Sequence, residues 1–323
     1  MRCRLVGSEM CIRDRFKANA RVFRLLSDGL YSDKHQSITR ELWANAYDSH
    51  IMAGKPDVPF EVKLPSTFNP VFMVKDYGIG MSHDTVMDLY STYGGTTKDS
   101  DNIAVGGFGL GSKSPFAYTD TFTVISVHRG KRGVYTAMLN ENGEPEINLL
   151  SLSPTDEPNS VEVSFPVNPL DIQKFIDAAK RVSIGFDVKP KVLNRSDVEW
   201  PEVKYAQTGD GYRVLENAGR YWWNGEELYL RGDQSYAKMG CVIYPIQQHL
   251  VGDLKGYVFE FDIGELSVTV SRESLSYGDR EPTAKAIKDK YEKLMKSIQQ
   301  DFLDEVARQD TLYEAEKKFN NQG

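Results

Sequence analysis

Three observations predict an α+β fold in two units for this chain of 323 residues. Apolar stretches between Phe60 and Phe165 alternate or run continuously with turn residues such as Asn142 and Gly143 among them, as in a sheet of mixed, mainly antiparallel strands. Helical periodicity flanks that block, with Val22, Leu25, Leu26 and Leu30 before it and Ile172, Phe175, Ile176 and Ala179 after it. The length suits two cores at roughly 100–200 residues per domain, the second smaller and followed by a long C-terminal helix.

The first fifteen residues, Met1 to Arg15, are set aside as a non-native leader, because GSEMCIRDR resembles a translated sequencing adapter. If so, the native start is missing and the chain is expected to be a fragment. Phe16 to Ala53 reads as helix with a break at Ser32 to Gln36 and a second run from Ser37, closed by Gly54 and Pro56. Strands are expected at Phe60–Leu64, Val71–Val74, Phe122–Val127, Val134–Leu139, Ile147–Leu152 and Val161–Phe165. Between the second and third lies a glycine-rich stretch, Tyr77 to Tyr118, with one helix capped by Ser82; loops that long in a compact domain are usually functional.

The first unit is drawn as residues 16–167 and the second as 168–282, opening with a helix from Leu170 to Ser183. Strands follow at Lys189–Leu193, Gly240–Tyr244, Tyr257–Ile263 and Leu266–Ser271, while 195–234 carries no clear pattern. Residues 283–323 form the last segment, a helix from Thr283 to Lys318 striped by Ile287, Tyr291, Leu294, Ile298, Phe302 and Val306. That stripe is either core or a surface for a partner, such as the seam of a homodimer.

Composition narrows the function. With 39 Lys and Arg against 46 Asp and Glu the formal charge is −7, so nucleic acid is not an indicated partner. Cys3, Cys11 and Cys241 are too scattered for a disulfide framework or a zinc cage. No apolar run approaches the ~20 residues of a transmembrane helix, and a cytoplasmic location is expected.

Chemistry concentrates in three segments of the first unit. Glu41, Asn45 and Asp48 share one helical face beside Leu42, Trp43 and Ala46. Carboxylate and amide oxygens aimed at one place suit Mg2+ with a water-orienting base, though for that octet alone a solvated polar face is the favoured reading. Asp76-Tyr-Gly78-Ile-Gly80-Met81 directly follows a strand; its glycines let backbone approach a flat ligand, and its carboxylate can accept from an amino group, unless it is simply an Asx turn. Gly107, Gly109, Leu110 and Gly111 lead to Lys113 in a run whose N–H groups can face phosphate, with Lys113 as a point charge. That run matches neither a P-loop nor a Rossmann fingerprint.

In this order and spacing the three segments resemble the GHKL, or Bergerat, ATP-binding fold of gyrase, the large heat-shock chaperones, histidine kinases and MutL. The resemblance covers about Phe16 to Val167. Val105 to Ser126 looks most like the chaperone branch, and Asn159-Ser160-Val161 stands where that family usually has Gly-Thr. The resemblance implies an ATP- and Mg2+-dependent ATPase built as an α/β sandwich, with a transducer-like second domain. It implies that Glu41 activates water, Asn45 ligates Mg2+, Asp76 reads the adenine amino group and Asp48 supports from behind. Gly78, Gly80 and Met81 would line the base pocket, Ser160 would keep a family hydroxyl, Gly107, Gly109 and Gly111 would cradle phosphates, and Thr97 and Lys98 would sit in a lid. Leu266 to Leu275 resembles the chaperone segment whose arginine, here Arg272, reaches the γ-phosphate; an ordinary Arg272–Glu273 surface pair fits the same letters.

Leu89 to Gly94, Thr97-Lys98 and Gly111 to Tyr118 together look most like the phage RIIA rapid-lysis proteins. That resemblance implies a role in lysis timing, a host or phage protein partner and association with the inner membrane. A non-hydrolysing nucleotide sensor and a chaperone-like ATPase unrelated to lysis are the alternatives.

Overall fold

The computed structural model describes residues 32–91, 111–141, 143–219, 229–269, 271–278 and 282–308. The leader, the helix expected from Phe16, and Thr97, Lys98, Gly107, Gly109 and Leu110 lie outside the described residues.

The first sheet has seven strands in the order β5-β4-β3-β6-β2-β1-β7. They are β1 (Glu61–Lys63), β2 (Val71–Asp76), β3 (Thr121–His128), β4 (Lys131–Leu139), β5 (Pro145–Pro154), β6 (Ser160–Pro166) and β7 (Lys191–Val192). Neighbours are antiparallel except β1 and β7, which run parallel. Alternation turns Phe72 and Val74, Phe122 and Val124, and Val163 and Phe165 into one core with three helices. These are α1 (Lys34–Met52), α2 (His83–Ser91) and α3 (Ile172–Ser183).

Helix α1 begins at Lys34 rather than the expected Ser37, because Asp33 caps it: its carboxylate accepts from Gln36 N–H at 3.1 Å. Ser82 caps α2 in the expected way, accepting from Thr85 N–H at 3.1 Å. Trp43 on α1 is fully buried and meets Phe60 and Phe186 edge-on. Truncating such a residue costs about 3–5 kcal/mol, so this packing fixes the helix that carries Glu41 and Asn45.

The unit boundary expected after Val167 falls inside this layer. Helix α3 lays Phe175, Ile176, Ala179 and Val182 into the core, with Phe175 packed on Phe72. Strand β7 then returns to the sheet, Lys191 N–H donating to Phe60 O at 2.8 Å and Leu193 N–H to Val62 O at 2.9 Å. The apolar face of α3 has its complement in the first unit, and the chain leaves that unit only after β7.

The second sheet has five strands in the order β11-β10-β12-β9-β8. Its strands are β8 (Tyr205–Gly209), β9 (Tyr212–Leu215), β10 (Tyr236–Met239), β11 (Val242–Pro245) and β12 (Tyr257–Phe261). The β8–β9 hairpin lies in the stretch without a sequence pattern, because Ala206, Gln207 and Thr208 of β8 are solvent-exposed and no apolar alternation marks it. Of Leu266–Ser271, expected as a strand, the described residues form an isolated bridge between Val268 and Leu275, flanked by Thr269 N–H donating to Ser274 O and Ser276 N–H donating to Ser267 O, each at 2.9 Å. Helix α4 (Thr283–Ala307) buries Ile287 and Leu294 of the expected stripe, whereas Ile298 and Leu303 stay exposed. No helix among the described residues is long and apolar enough to cross a membrane.

Candidate functional site

Helix α1 presents Glu41, Asn45 and Ser49 at four-residue intervals, so their side chains stack along one face. Below the last of them β2 ends in Asp76, only 5% exposed. Its carboxylate accepts from Ser49 Oγ at 2.8 Å and from Gly78 N–H at 2.9 Å. Burial pushes Asp76 up to about 6, against the pull of those hydrogen bonds. No cationic side chain is paired with it among the described residues.

The loop after β2 is held by histidine as well as by Asp76. His50 is buried, its Nδ1 lies 2.8 Å from Val58 O, and Tyr77 N–H donates to its Nε2 at 2.8 Å. That pairing assigns the neutral ring with its proton on Nδ1, and burial lowers its pKa accordingly. The glycines are steric requirements: a Cβ on Gly78 would lie 2.1 Å from Ser49 Oγ. Gly80 has φ +67°, and its Cβ would meet Val127 O at 2.1 Å.

A cleft with a cavity volume of about 140 Å³ opens above this loop, lined by Asn45, Val74, Asp76, Met81, Gly111 and Val163 among others. Apolar walls around one buried acceptor fit a flat base carrying an amino group. Behind Gly111 of that lining stands Glu41, 4% exposed, whose Oε2 is 3.2 Å from Nη1 of Arg272, itself 7% exposed. A Cβ on Gly111 would sit 2.4 Å from Glu41 Oε2, so this glycine lets the backbone pass against the carboxylate. Arg272 has φ +54°, unusual without glycine, and its N–H donates to Thr269 O at 2.8 Å. The described residues contain no cluster of three His, Cys, Asp or Glu that would hold a metal unaided. A single amide oxygen from Asn45 therefore fits a Mg2+ that takes its other ligands from phosphate and water.

The cleft thus brings together Asn45, Asp76, Gly80, Met81 and Gly111, with Gly78 behind Asp76, whereas Glu41 and Arg272 meet behind Gly111, outside the lining. Three expected site residues are placed elsewhere. Lys113 is buried in the 3-10 segment Gly111–Ala117, and its ammonium donates to Leu89 O at 2.5 Å; it serves the C-terminal end of α2 rather than facing the cleft. Burial brings Lys113 down to about 8. Asp48 is buried off the lining, on a side of α1 where its charge helps raise the Cys241 thiol. Ser160 alternates away from the cleft, and the β6 residues that face it are Val161 and Val163.

Ser49 and His50 were not singled out from sequence. Ser49 continues the four-residue spacing of Glu41 and Asn45, a signal present in the letters; nothing in the letters marks His50. The hydroxyl that donates to Asp76 is that of Ser49 on α1.

Residues 34–164 match the family described as histidine kinase-, DNA gyrase B- and HSP90-like ATPase. The chain therefore carries a GHKL-type ATPase-like domain. Three relatives share the name Chaperone protein HtpG. The protein of Rickettsia bellii (strain RML369-C) is 25% identical over 237 residues, covering 66% of this chain and 36% of the relative. That of Rickettsia rickettsii (strain Sheila Smith) is 31% identical over 150 residues, covering 38% and 24%. That of Rhodococcus jostii (strain RHA1) is 26% identical over 213 residues, covering 58% and 32%. The chain spans roughly a third of the length of the first of these chaperones.

Proposed function

We infer that this chain binds Mg-ATP and hydrolyses it by direct attack of water on the γ-phosphate, using the cycle to switch the arrangement of its two units. The observation that carries this reading is the meeting of Glu41 with Arg272, 231 positions later in the chain, at 3.2 Å behind Gly111 of the cleft lining. In this reading Asp76, set in place by Ser49 and Gly78, accepts from the adenine amino group, and Gly80 and Met81 shape the base pocket. Asn45 supplies the protein oxygen to Mg2+, which when bound would offset phosphate charge. Glu41 orients and deprotonates water, and Arg272 stabilises charge on the transferring phosphoryl oxygens. Gly107, Gly109 and Gly111 cradle phosphate, with Thr97 and Lys98 in the covering segment.

The same pairing favours one second reading, a nucleotide sensor without turnover, because Arg272 Nη1 occupies the Glu41 Oε2 that would accept the proton from water. A part in phage lysis timing, with a host or phage partner at the inner membrane, is supported by the RIIA-like motifs; a chaperone-like role is supported by the similarity to HtpG. Phosphate release from Mg-ATP, measured beside equilibrium nucleotide affinity, separates the readings. Turnover with saturable binding upholds the ATPase, tight binding without turnover selects the sensor, and absence of binding overturns the site.

A further inference from the structure

The three residues Ser271, Arg272 and Glu273 each engage the first two turns of α1, but only Arg272 is accounted for by the chemistry above. Glu273 accepts from four donor contacts across some 240 positions of sequence. Its Oε1 takes Ser37 Oγ at 2.8 Å, Ser32 N–H at 3.0 Å and Asp33 N–H at 3.3 Å, and its Oε2 takes Ser32 N–H at 3.1 Å. These donors belong to the start of α1 and the residues leading into it, where backbone N–H groups have no helical partner and the helix dipole favours an anion. Burial pushes Glu273 up, yet the bonds from Ser32, Ser37 and Asp33 outweigh it and leave its pKa below the ordinary value.

Beside it Arg40 Nη2 donates to Ser271 O at 3.1 Å and to Ser37 Oγ at 3.3 Å. The loop is thus fixed to α1 on both sides of Arg272, and Arg272 itself sits in the left-handed region at φ +54°. Such a conformation persists where neighbouring contacts determine it, and here those contacts flank the one residue that reaches Glu41.

We propose that Glu273 is a positioning residue, a latch through which the second unit grips the start of α1 and thereby delivers the Arg272 guanidinium to the hydrolytic end of the cleft. The proposal rests on the ATPase reading and adds a residue to it. It assigns Glu273 no contact with nucleotide: the latch sets where Arg272 lies, and α1 retains its own Asp33 cap when the latch is released.

The test is a double-mutant cycle on the full chain with Glu273→Ala, Arg272→Ala and the pair, reading kcat, KM, nucleotide affinity and thermal midpoint. A displaced arginine predicts that Glu273→Ala lowers kcat by roughly 10–100-fold with affinity unchanged, and that this loss vanishes in the Arg272→Ala background. Glu273→Gln, which keeps one acceptor oxygen, is expected to lie between, and guards against a variant that does not fold. Wild-type kcat in both Glu273 variants overturns the latch, as does a loss that multiplies fully with that of Arg272→Ala, or an equal fall in affinity. A wild-type chain that binds nucleotide without turnover removes the ATPase reading and the latch together, whereas an active wild type with unaffected Glu273 variants removes the latch alone.

Discussion

Two carboxylates, Asp76 and Glu41, are nearly equally buried, 5% and 4% exposed, Asp76 lining the cleft and Glu41 standing behind Gly111 of its lining, and they are held by different parts of the molecule. Asp76 is satisfied within the first unit, by Ser49 Oγ and Gly78 N–H. Glu41 is paired with an arginine 231 positions away, at the tip of a loop of the second unit. In the proposed reading base recognition is built within the first unit, whereas the hydrolytic end also needs Arg272, and a nucleotide-driven switch would use that asymmetry.

The comparison is sharpest in Glu41→Ala set beside Asp76→Asn. Glu41→Ala should lower kcat by roughly 10²–10⁴-fold while nucleotide still binds, since a general base acts in the transition state. Asp76→Asn should abolish measurable binding, because an amide can present its NH2 where the base needs an acceptor. Equal losses of affinity in both variants would break the division between the two ends.

Dependence on the second unit should also appear in stability. Arg272→Ala leaves the Glu41 carboxylate buried without that guanidinium, and breaking such a pair costs about 3–5 kcal/mol. Adding Glu41→Gln to Arg272→Ala should recover part of the loss, and urea denaturation of the two singles and the double would reveal the coupling. Strict additivity would mean that the 3.2 Å pair contributes nothing to holding the units together.

The Asp76 end should instead respond to pH. Its pKa is raised from 3.8 to about 6 by burial, so between those values the folded chain binds a proton that the unfolded chain has released. Stability from this group is therefore greatest at low pH and is lost as pH rises through about 6, by on the order of 3 kcal/mol. Nucleotide affinity should move the other way, falling as pH drops below about 6, because the protonated acid no longer offers both oxygens to the amino group. His50 titrates nearby with the opposite effect on stability, so the stability measurement is the wild type minus Asp76→Asn. A difference constant between pH 4 and 7.5 would remove the burial argument.

Much of the local end was legible in the sequence. The Asp76, Gly78 and Gly80 spacing after an apolar strand states its own requirement, because backbone must pass where Ser49 Oγ and Val127 O leave no room for a Cβ. The far end was legible only by resemblance: nothing in the letters around Arg272 brings it to Glu41 without the loop and the packing of the second sheet. Lys113 shows the opposite failure, since a lysine after a glycine run reads as a phosphate ligand until the Leu89 carbonyl at the end of α2 claims it. The Val167 boundary was drawn on Pro166 and Pro169, which mark a turn in the chain, while the apolar face of α3 packs on the core of the first sheet.

The smallest expected effect concerns Ser49, which links the two ends by standing two turns after Glu41 on α1 while bonding to Asp76. Ser49→Ala removes the hydroxyl that donates to Asp76 Oδ1 at 2.8 Å and accepts from Ile79 N–H at 3.3 Å. A hydrogen bond to a charged group contributes about 1.5–3 kcal/mol, so nucleotide affinity should fall by roughly ten- to a hundredfold with kcat little changed. Losing a donor to the ionised form also raises the Asp76 pKa further, which shifts the midpoint of the affinity profile to higher pH. That shift distinguishes a hydroxyl that keeps Asp76 ionised from one that merely fills space beside Gly78: the first moves both affinity and its pH midpoint, and the second moves neither.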